Sequence, residues 1–486
     1  MKRQVLFLAS MASVLFSGCM VGPKYVKPAA PAPPSFKETD TTEWKEGDGW
    51  KIAQPNDESL RNKWWEAYGD PKLNELEDQV EPSNYSLKVA EANFRQARAA
   101  IRFNRAAEAP TIGTSPSISS VRDSANQPYF PSSLVNNGNG EFTLPVDLSY
   151  EIDLWGRVRR TVTASREQAQ ASAADLATVK LSLHAELAID YFEIRSADAQ
   201  EKLLTDTVKA YSMALDLTKD RFVGGAAPKS DVTQAQTQLA QARVLASDIK
   251  VQRAQYEHAL AILIGKPPAE FDLPATPLNL QPPTLPTVPV SLPAQLLERR
   301  PDIAASERRM AAANEQIGIA KAAYYPTLDL AAIAGLEGTS LLNWFNWPSR
   351  FWAVGPGLSE TIFDGGRRKA TSETALAGYD GSVATYRQTT LGAFQEVEDN
   401  LVVLRVLSTE SAQQHSATDS AEQSLHLFES RYAGGVDTYL QVVTSQTTAL
   451  ANERNDIEIM RRRLEANVLL VKALGGGWDV INLPKL

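Results

Sequence analysis

The 486-residue chain has one Cys and four His, and past its N-terminus no stretch of eighteen apolar residues. A single Cys forms no internal disulfide and builds no Cys-based zinc site. His184, His258, His415 and His426 are scattered, and none falls in an HExxH-like motif. They read as exposed or half-packed side chains. The Gly-Gly pairs at 224–225 and 434–435 lack a following Lys-Ser/Thr, so neither is a phosphate loop. No metal, cofactor or enzyme activity is expected. The formal charge of -9 disfavours a general nucleic-acid binder. Charged residues at 22%, beside 43% hydrophobic ones, argue against disorder. Mean hydropathy is only -0.27. Without a long apolar helix, the chain crosses a membrane only as a β-barrel.

The N-terminus carries Lys2 and Arg3, a short apolar run from Val5 to Phe16, then Ser17 and Gly18. That is the pattern of a secretory signal over 1–18. The sole Cys follows at once. The run Leu15-Phe16-Ser17-Gly18-Cys19 resembles a bacterial lipobox, with Phe16 where Leu is usual. Cys19 is therefore the expected site of a covalent lipid, each buried CH2 adding about 0.8 kcal/mol of membrane affinity. Cleavage would take the formal charge from -9 to -11. The Pro/Ala composition of 19–40 predicts an extended tether rather than a folded element.

Internal repetition organises the rest. Arg221-Phe222-Val223-Gly224-Gly225 recurs as Arg431-Tyr432-Ala433-Gly434-Gly435. Ala106-Ala107-Glu108-Ala109-Pro110-Thr111-Ile112 recurs as Ala322-Ala323-Tyr324-Tyr325-Pro326-Thr327-Leu328. Leu154-Trp155-Gly156-Arg157 has a counterpart in Phe363-Asp364-Gly365-Gly366-Arg367. These matches, in the same order, define two repeats, 83–265 and 301–474. The remaining parts, 41–82, a Pro-rich connection 266–300 and a tail 475–486, read as a smaller mixed equatorial domain.

Each repeat opens with a helix, near 84–108 and 302–324, with Asp302 as a candidate N-cap. Two extended runs follow: 111–121 and 142–154, then 327–337 and 351–363. The run 142–154 alternates strictly. Phe142, Leu144, Val146, Leu148, Tyr150, Ile152 and Leu154 point one way, and polar residues point the other. Its length suits a tilted membrane strand, the alternative being a long hairpin on a soluble sheet. Aromatics near the strand ends, among them Tyr129, Phe130, Tyr325, Trp344 and Trp347, fit interfacial girdles or an ordinary core. The loops 123–139 and 338–350 are long and rich in Asn, Ser and Gly, as outer loops of bacterial barrels are.

Two Pro-free helical stretches come next, near 157–221 and 367–431, each a rod of roughly 100 Å at 1.5 Å per residue. Leu176, Val179, Leu183, Leu187, Tyr191 and Ile194 form a narrow coiled-coil-like stripe. Each rod ends at Gly-Gly and returns as a second helix, 230–264 or 438–474. Thr438 to Gln441 reads as a capping box.

About four strands per chain cannot close a barrel, and open edges are not stable in lipid. Three copies in a ring would give about twelve strands, an even number within the known range. The expected architecture is mainly α with a membrane β-barrel, continued by a periplasmic α-helical barrel.

Several motifs now align with one family. They are Val21-Gly22-Pro23-Lys24-Tyr25 after the lipobox, Trp64-Trp65-Glu66 with Asp70-Pro71-Lys72-Leu73, and Glu298-Arg299-Arg300-Pro301-Asp302-Ile303. Ile317-Gly318-Ile319-Ala320 with Tyr325-Pro326, the Phe363 to Arg367 turn, and Gly434-Gly435-Val436-Asp437 complete the set. In these the chain resembles the TolC-type outer-membrane efflux proteins, in their OprM/NodT-like lipoprotein branch. The resemblance implies a homotrimer, a twelve-stranded barrel and a periplasmic helical tunnel. It implies as partners a periplasmic membrane-fusion adaptor, an inner-membrane pump of the RND class and outer-membrane lipid, with conduction passive.

The resemblance places the control point at the tip, where Gly224, Gly225, Gly434 and Gly435 turn the chain. Relatives narrow the tube near the start of the last helix, at the positions of Leu440, Gln441 and Thr444. Many carry acidic residues where this chain has Gln441 and Thr444, so an aspartate ring there is not expected. Asp231 and Asp437 remain near the tip, either attracting cations or simply favouring helix N-termini. Arg221 and Arg431 suit the rods' C-terminal dipoles, with a locking role as a further option. Two other functions stay open: the exit duct of a type I protein secretion system, and a lipid-anchored periplasmic coiled-coil scaffold.

Overall fold

The computed structural model describes residues 20–30, 32–39, 50–52, 63–122, 124, 138–278, 288–290 and 293–486. The signal segment, Cys19, Tyr129, Phe130 and most of loop 123–139 lie outside them.

In chain order the elements begin with β1 (Trp50–Ile52), α1 (Pro71–Ser83) and α2 (Tyr85–Arg105). Then come β2 (Thr111–Thr114), β3 (Ser117–Val121), β4 (Asn139–Ile152), and the helical hairpin α3 (Arg157–Val223) and α4 (Lys229–Leu263). After β5 (Val288–Val290) and α5 (Pro293–Arg299), the second half repeats the plan. It has α6 (Pro301–Ala322), β6 (Thr327–Gly338), the one-turn α7 (Leu341–Trp344), β7 (Arg350–Ser359), α8 (Arg367–Ala433) and α9 (Tyr439–Ala473). Both rods have 67 residues and both return helices have 35. No described helix is long and apolar enough to cross a membrane.

The sheet is antiparallel in the order β2-β4-β6-β7, with β3 continuing β2's edge along β4. The expected strand 111–121 is thus two strands, parted at Ser115-Pro116. Pro116 has no N–H to give the ladder, so pairing stops there. The run 142–154 is shifted to Asn139–Ile152. Its end is set by the Leu154 N–H turning back to Ile152 O, at 2.8 Å. The last strand stops at Ser359, leaving Ile362 and Phe363 exposed beyond it.

Register makes this sheet two-faced. Phe142, Leu144, Val146, Leu148, Tyr150 and Ile152 pair with Gly338, Leu336, Ala334, Ala332, Leu330 and Leu328. On β7 the same face continues through Trp352, Val354 and Leu358, and on the other edge through Ile112 and Ile118. Directly paired residues share a face, so one side is mainly apolar from edge to edge, its polar members being Thr114, Ser120 and, at the strand end, Arg350. Val146, Ile112, Ile118, Trp352, Val354 and Leu358 are all exposed.

Two helix starts differ from expectation. Pro301 occupies the first turn of α6, where its fixed φ and missing N–H cost nothing, so Arg300 is the N-cap and Asp302 lies inside. Thr438 caps α9 without a side-chain bond; its backbone carbonyl accepts from Gln441 N at 3.2 Å instead. The capping box is therefore absent.

The main core sits at the equator, where the rod stripe meets the smaller elements. Leu183, Leu187, Tyr191 and Ile194 of α3 pack with Met460, Leu464, Val468 and Val471 of α9. Trp64, Trp65, Leu73, Leu273, Val288 and Val290 close the cluster, β1 pairing parallel with β5.

The N-terminal tether is extended but strapped down. Val21 N donates to Trp155 O at 3.1 Å. Gly22 has φ +111 and lies so close to Gly318 that a Cβ would fall 2.6 Å from the Gly318 Cα. Tyr25 donates to Glu307 at 2.5 Å, and Phe36 is buried against Phe394. Backbone N–H groups of Lys37 and Glu38 donate to Glu398, and Arg405 donates to Glu38.

Candidate gate and conduction path

The tip is formed by both rod ends and both return helices. Each Gly-Gly turn is a complete Schellman motif. Gly225 has φ +73 and Gly435 φ +76, conformations that favour glycine. Gly225 N donates to Phe222 O at 3.0 Å and Ala226 N to Arg221 O at 2.7 Å. Gly435 N donates to Tyr432 O at 2.9 Å and Val436 N to Arg431 O at 3.0 Å. Orphan carbonyls of both rods are thereby satisfied by backbone alone.

Beneath the turns lies a small core of Tyr211, Leu215, Leu239, Tyr432, Tyr439 and Val442. The Tyr432 and Tyr439 rings stand 5.2 Å apart. Burial pushes the Tyr439 hydroxyl up to about 12. Arg221 pins the two hairpins together: its guanidinium donates to Tyr432 O and lies 4.5 Å from the Tyr432 ring centre. Arg431 instead pairs within its own turn, with Asp437.

Leu440, Gln441 and Thr444 are all exposed, on the side of α9 opposite Tyr439, Val442 and Gln446. The structure therefore groups them on one uncommitted face. Asp231 sits in the first turn of α4 and accepts a 3.4 Å bond from Ser230. Its charge acts on Tyr432 and Tyr439. Asp437 is not a free carboxylate, because Arg431 neutralises it.

At the other end of the rods, Arg160 is buried and donates to Glu315 at 2.6 Å and to Pro23 O at 3.3 Å. A Cβ on Gly318 would lie 2.3 Å from Arg160 Nε. Gly22 and Gly318, in two separate sequence motifs, thus make one contact around a buried ion pair.

His184 was expected to be exposed or half-packed, and it is buried. Its Nδ1 lies 2.6 Å from Glu77 Oε2, and Trp65 stacks on the ring at 4.4 Å. Burial raises the Glu77 carboxyl to about 9 and lowers His184 to about 4. Burial thus favours the uncharged form of both partners, in which the Glu77 carboxyl can donate to Nδ1. A second missed group is Glu453, raised to about 7 by burial and by Glu422 beside it. Both pairs join residues from different helices, so no local spacing announces them. Among the described residues no cluster of His, Cys, Asp and Glu could hold a metal.

The pattern of the outer membrane efflux protein family matches residues 76–266 and 292–476. The toluene efflux pump outer membrane protein TtgF of Pseudomonas putida is 32% identical over 485 residues, 99% of this chain and 98% of that protein. Outer membrane protein OprJ of Pseudomonas aeruginosa is 30% identical over 477 residues, 97% and 95% of the two chains. The solved structure of the outer-membrane channel OprN superposes with a TM-score of 0.85 at 27% identity, covering 95% of this chain and all of that one. With both repeats matched and near full-length relatives at 30% identity or more, the chain belongs to the outer membrane efflux protein family, and it is an outer-membrane component of an efflux system.

Proposed function

We propose that three copies of this chain share one twelve-stranded barrel and form the exit duct of a tripartite efflux system. The observation that carries this is the sheet: one face mainly apolar and exposed from edge to edge, with β2/β3 and β7 both unpaired outward. Such a sheet is stable in lipid only if its edges are closed. With β2 and β3 sharing one edge, each chain supplies four strand positions, and three chains supply twelve. The rods then continue the barrel as a periplasmic tunnel. A periplasmic coiled-coil scaffold would leave the apolar-faced sheet without a role.

Conduction is passive, and energy comes from an inner-membrane pump, of the RND class, through a periplasmic adaptor. The cargo is small molecules such as drugs or solvents. Met20 lies beside Gly156 at the junction of β4 and α3, so a lipid on the neighbouring Cys19 would insert at that level. Leu440, Gln441 and Thr444 line the narrowest ring, and the Arg221–Tyr432 contact holds the tips together at rest. Planar-bilayer recording tests this. A Leu440→Asp variant should conduct more than wild type, because three like charges repel and hydrate the ring. Equal conductance removes Leu440 from the gate.

A further inference from the structure

We propose that the membrane section of the duct, rather than its tip, selects cations. This rests on the barrel reading above. The register that collects apolar residues on one face collects Glu141, Asp147, Glu151, Asp329 and Glu337 on the other. No Lys or Arg stands on that face among the described strand residues. Its remaining members are mostly small or hydroxylated, among them Thr111, Gly113, Ser117, Ser119, Thr143, Ser149, Gly355, Gly357 and Ser359, with Val121, Ile333 and Phe351 as its large apolar exceptions.

The carboxylates differ in how far they are neutralised. Glu151 is paired with Arg157 from the start of the rod, whereas Glu141 only accepts from the Ser119 hydroxyl at 3.3 Å and keeps its charge. Asp147, Asp329 and Glu337 have no cation within ion-pair distance among the described residues. Gly113 stands directly across from Asp147, and a Cβ there would fall 2.9 Å from its Oδ2. The sheet thus leaves room for this side chain on the polar face.

An apolar face turned to lipid puts the acidic face in the lumen, and three copies repeat each carboxylate around it. At 0.1 M salt the Debye length is about 10 Å, so such rings hold the lumen negative and admit cations over anions. The tip offers fewer carboxylates at the expected constriction, since Gln441 and Thr444 are neutral and Asp437 is paired with Arg431, which leaves Asp231 in the first turn of α4.

The test is the reversal potential of the purified full-length protein in planar bilayers under a KCl gradient. Wild type should reverse toward the potassium equilibrium potential, and less so at 1 M than at 0.1 M salt. The variant Glu141→Gln/Asp147→Asn/Asp329→Asn/Glu337→Gln should conduct and reverse near zero. A wild type that reverses near zero overturns the inference, as does a variant that conducts with unchanged selectivity. If the variant does not assemble, the single variants Asp147→Asn and Glu337→Gln decide: each should shift the reversal potential toward zero, and no shift in either overturns the inference. Absence of any conductance would sink the channel reading itself, a result distinct from conductance without selectivity.

Discussion

At the residue scale, the chain places its costliest groups where helices meet. Gly318 exists to admit Arg160, and Gly22 to approach Gly318. The substitution Gly318→Ala should therefore destabilise the protein by about 1–3 kcal/mol, the usual cost of overpacking. Thermal unfolding of the purified protein reads this as a lowered Tm, while an alanine at the unhindered Gly378 should not lower it. The Glu77–His184 pair predicts a pH effect. The Glu77 carboxyl has a folded pKa of about 9 against an ordinary 4.5. A raised value means its contribution is full below about pH 4.5 and is lost as pH climbs through about 9. His184, lowered to about 4 from an ordinary 6.5, acts in the opposite sense below about pH 6.5 and offsets Glu77 there. Wild-type Tm should therefore fall mainly from pH 7 to pH 9, and Glu77→Gln, which keeps an uncharged donor, should flatten that fall. An identical slope in both proteins would contradict the neutral pair. The motif glycines were visible in the sequence, but their reason was not, because Gly22 and Gly318 meet only after folding. Glu77 and His184 are 107 positions apart, and a buried His has no local signature.

At the element scale, periodicity was a good guide wherever one face dominates. The 67-residue rods, the return helices and β4 follow from stripe and alternation. The ends did not follow, because they depend on particular bonds. Pro116 splits an edge strand, Pro301 moves a helix start past Asp302, and Thr438 keeps its hydroxyl out of the cap. The tether was readable as extended from its prolines, but its docking needed the partners on α6 and α8. The two-faced sheet gives a prediction of its own. Val146 lies mid-strand on the apolar face, so Val146→Arg should cost about 2–4 kcal/mol in the membrane. Ser149→Arg, on the opposite face, should cost much less. Folding titrations into lipid vesicles, comparing the two variants, measure the difference. Equal costs would mean the faces are misassigned.

At the scale of the whole molecule, each chain is an unfinished object. Among the described residues its sheet has two open edges, and the second rod buries no residue before Tyr386, whereas the first is buried at intervals from Val158 to Thr218. The duplicated plan explains why a ring of three would look nearly sixfold at the tunnel. That the strands were too few was legible in the sequence, and it is what leads to the proposed ring of three. Leu440, Gln441 and Thr444 were picked out by the resemblance alone, and the structure sets them on one exposed face, while Arg221 reaching across to Tyr432 was not legible, lying between repeats. The most direct measurement of the central claim is the native mass of the detergent-extracted, unheated protein, checked against its heated form on a gel. The account predicts a particle of three chains that falls to a single chain of faster or slower mobility on heating. A folded particle of one or two chains would contradict it, because neither can close the sheet.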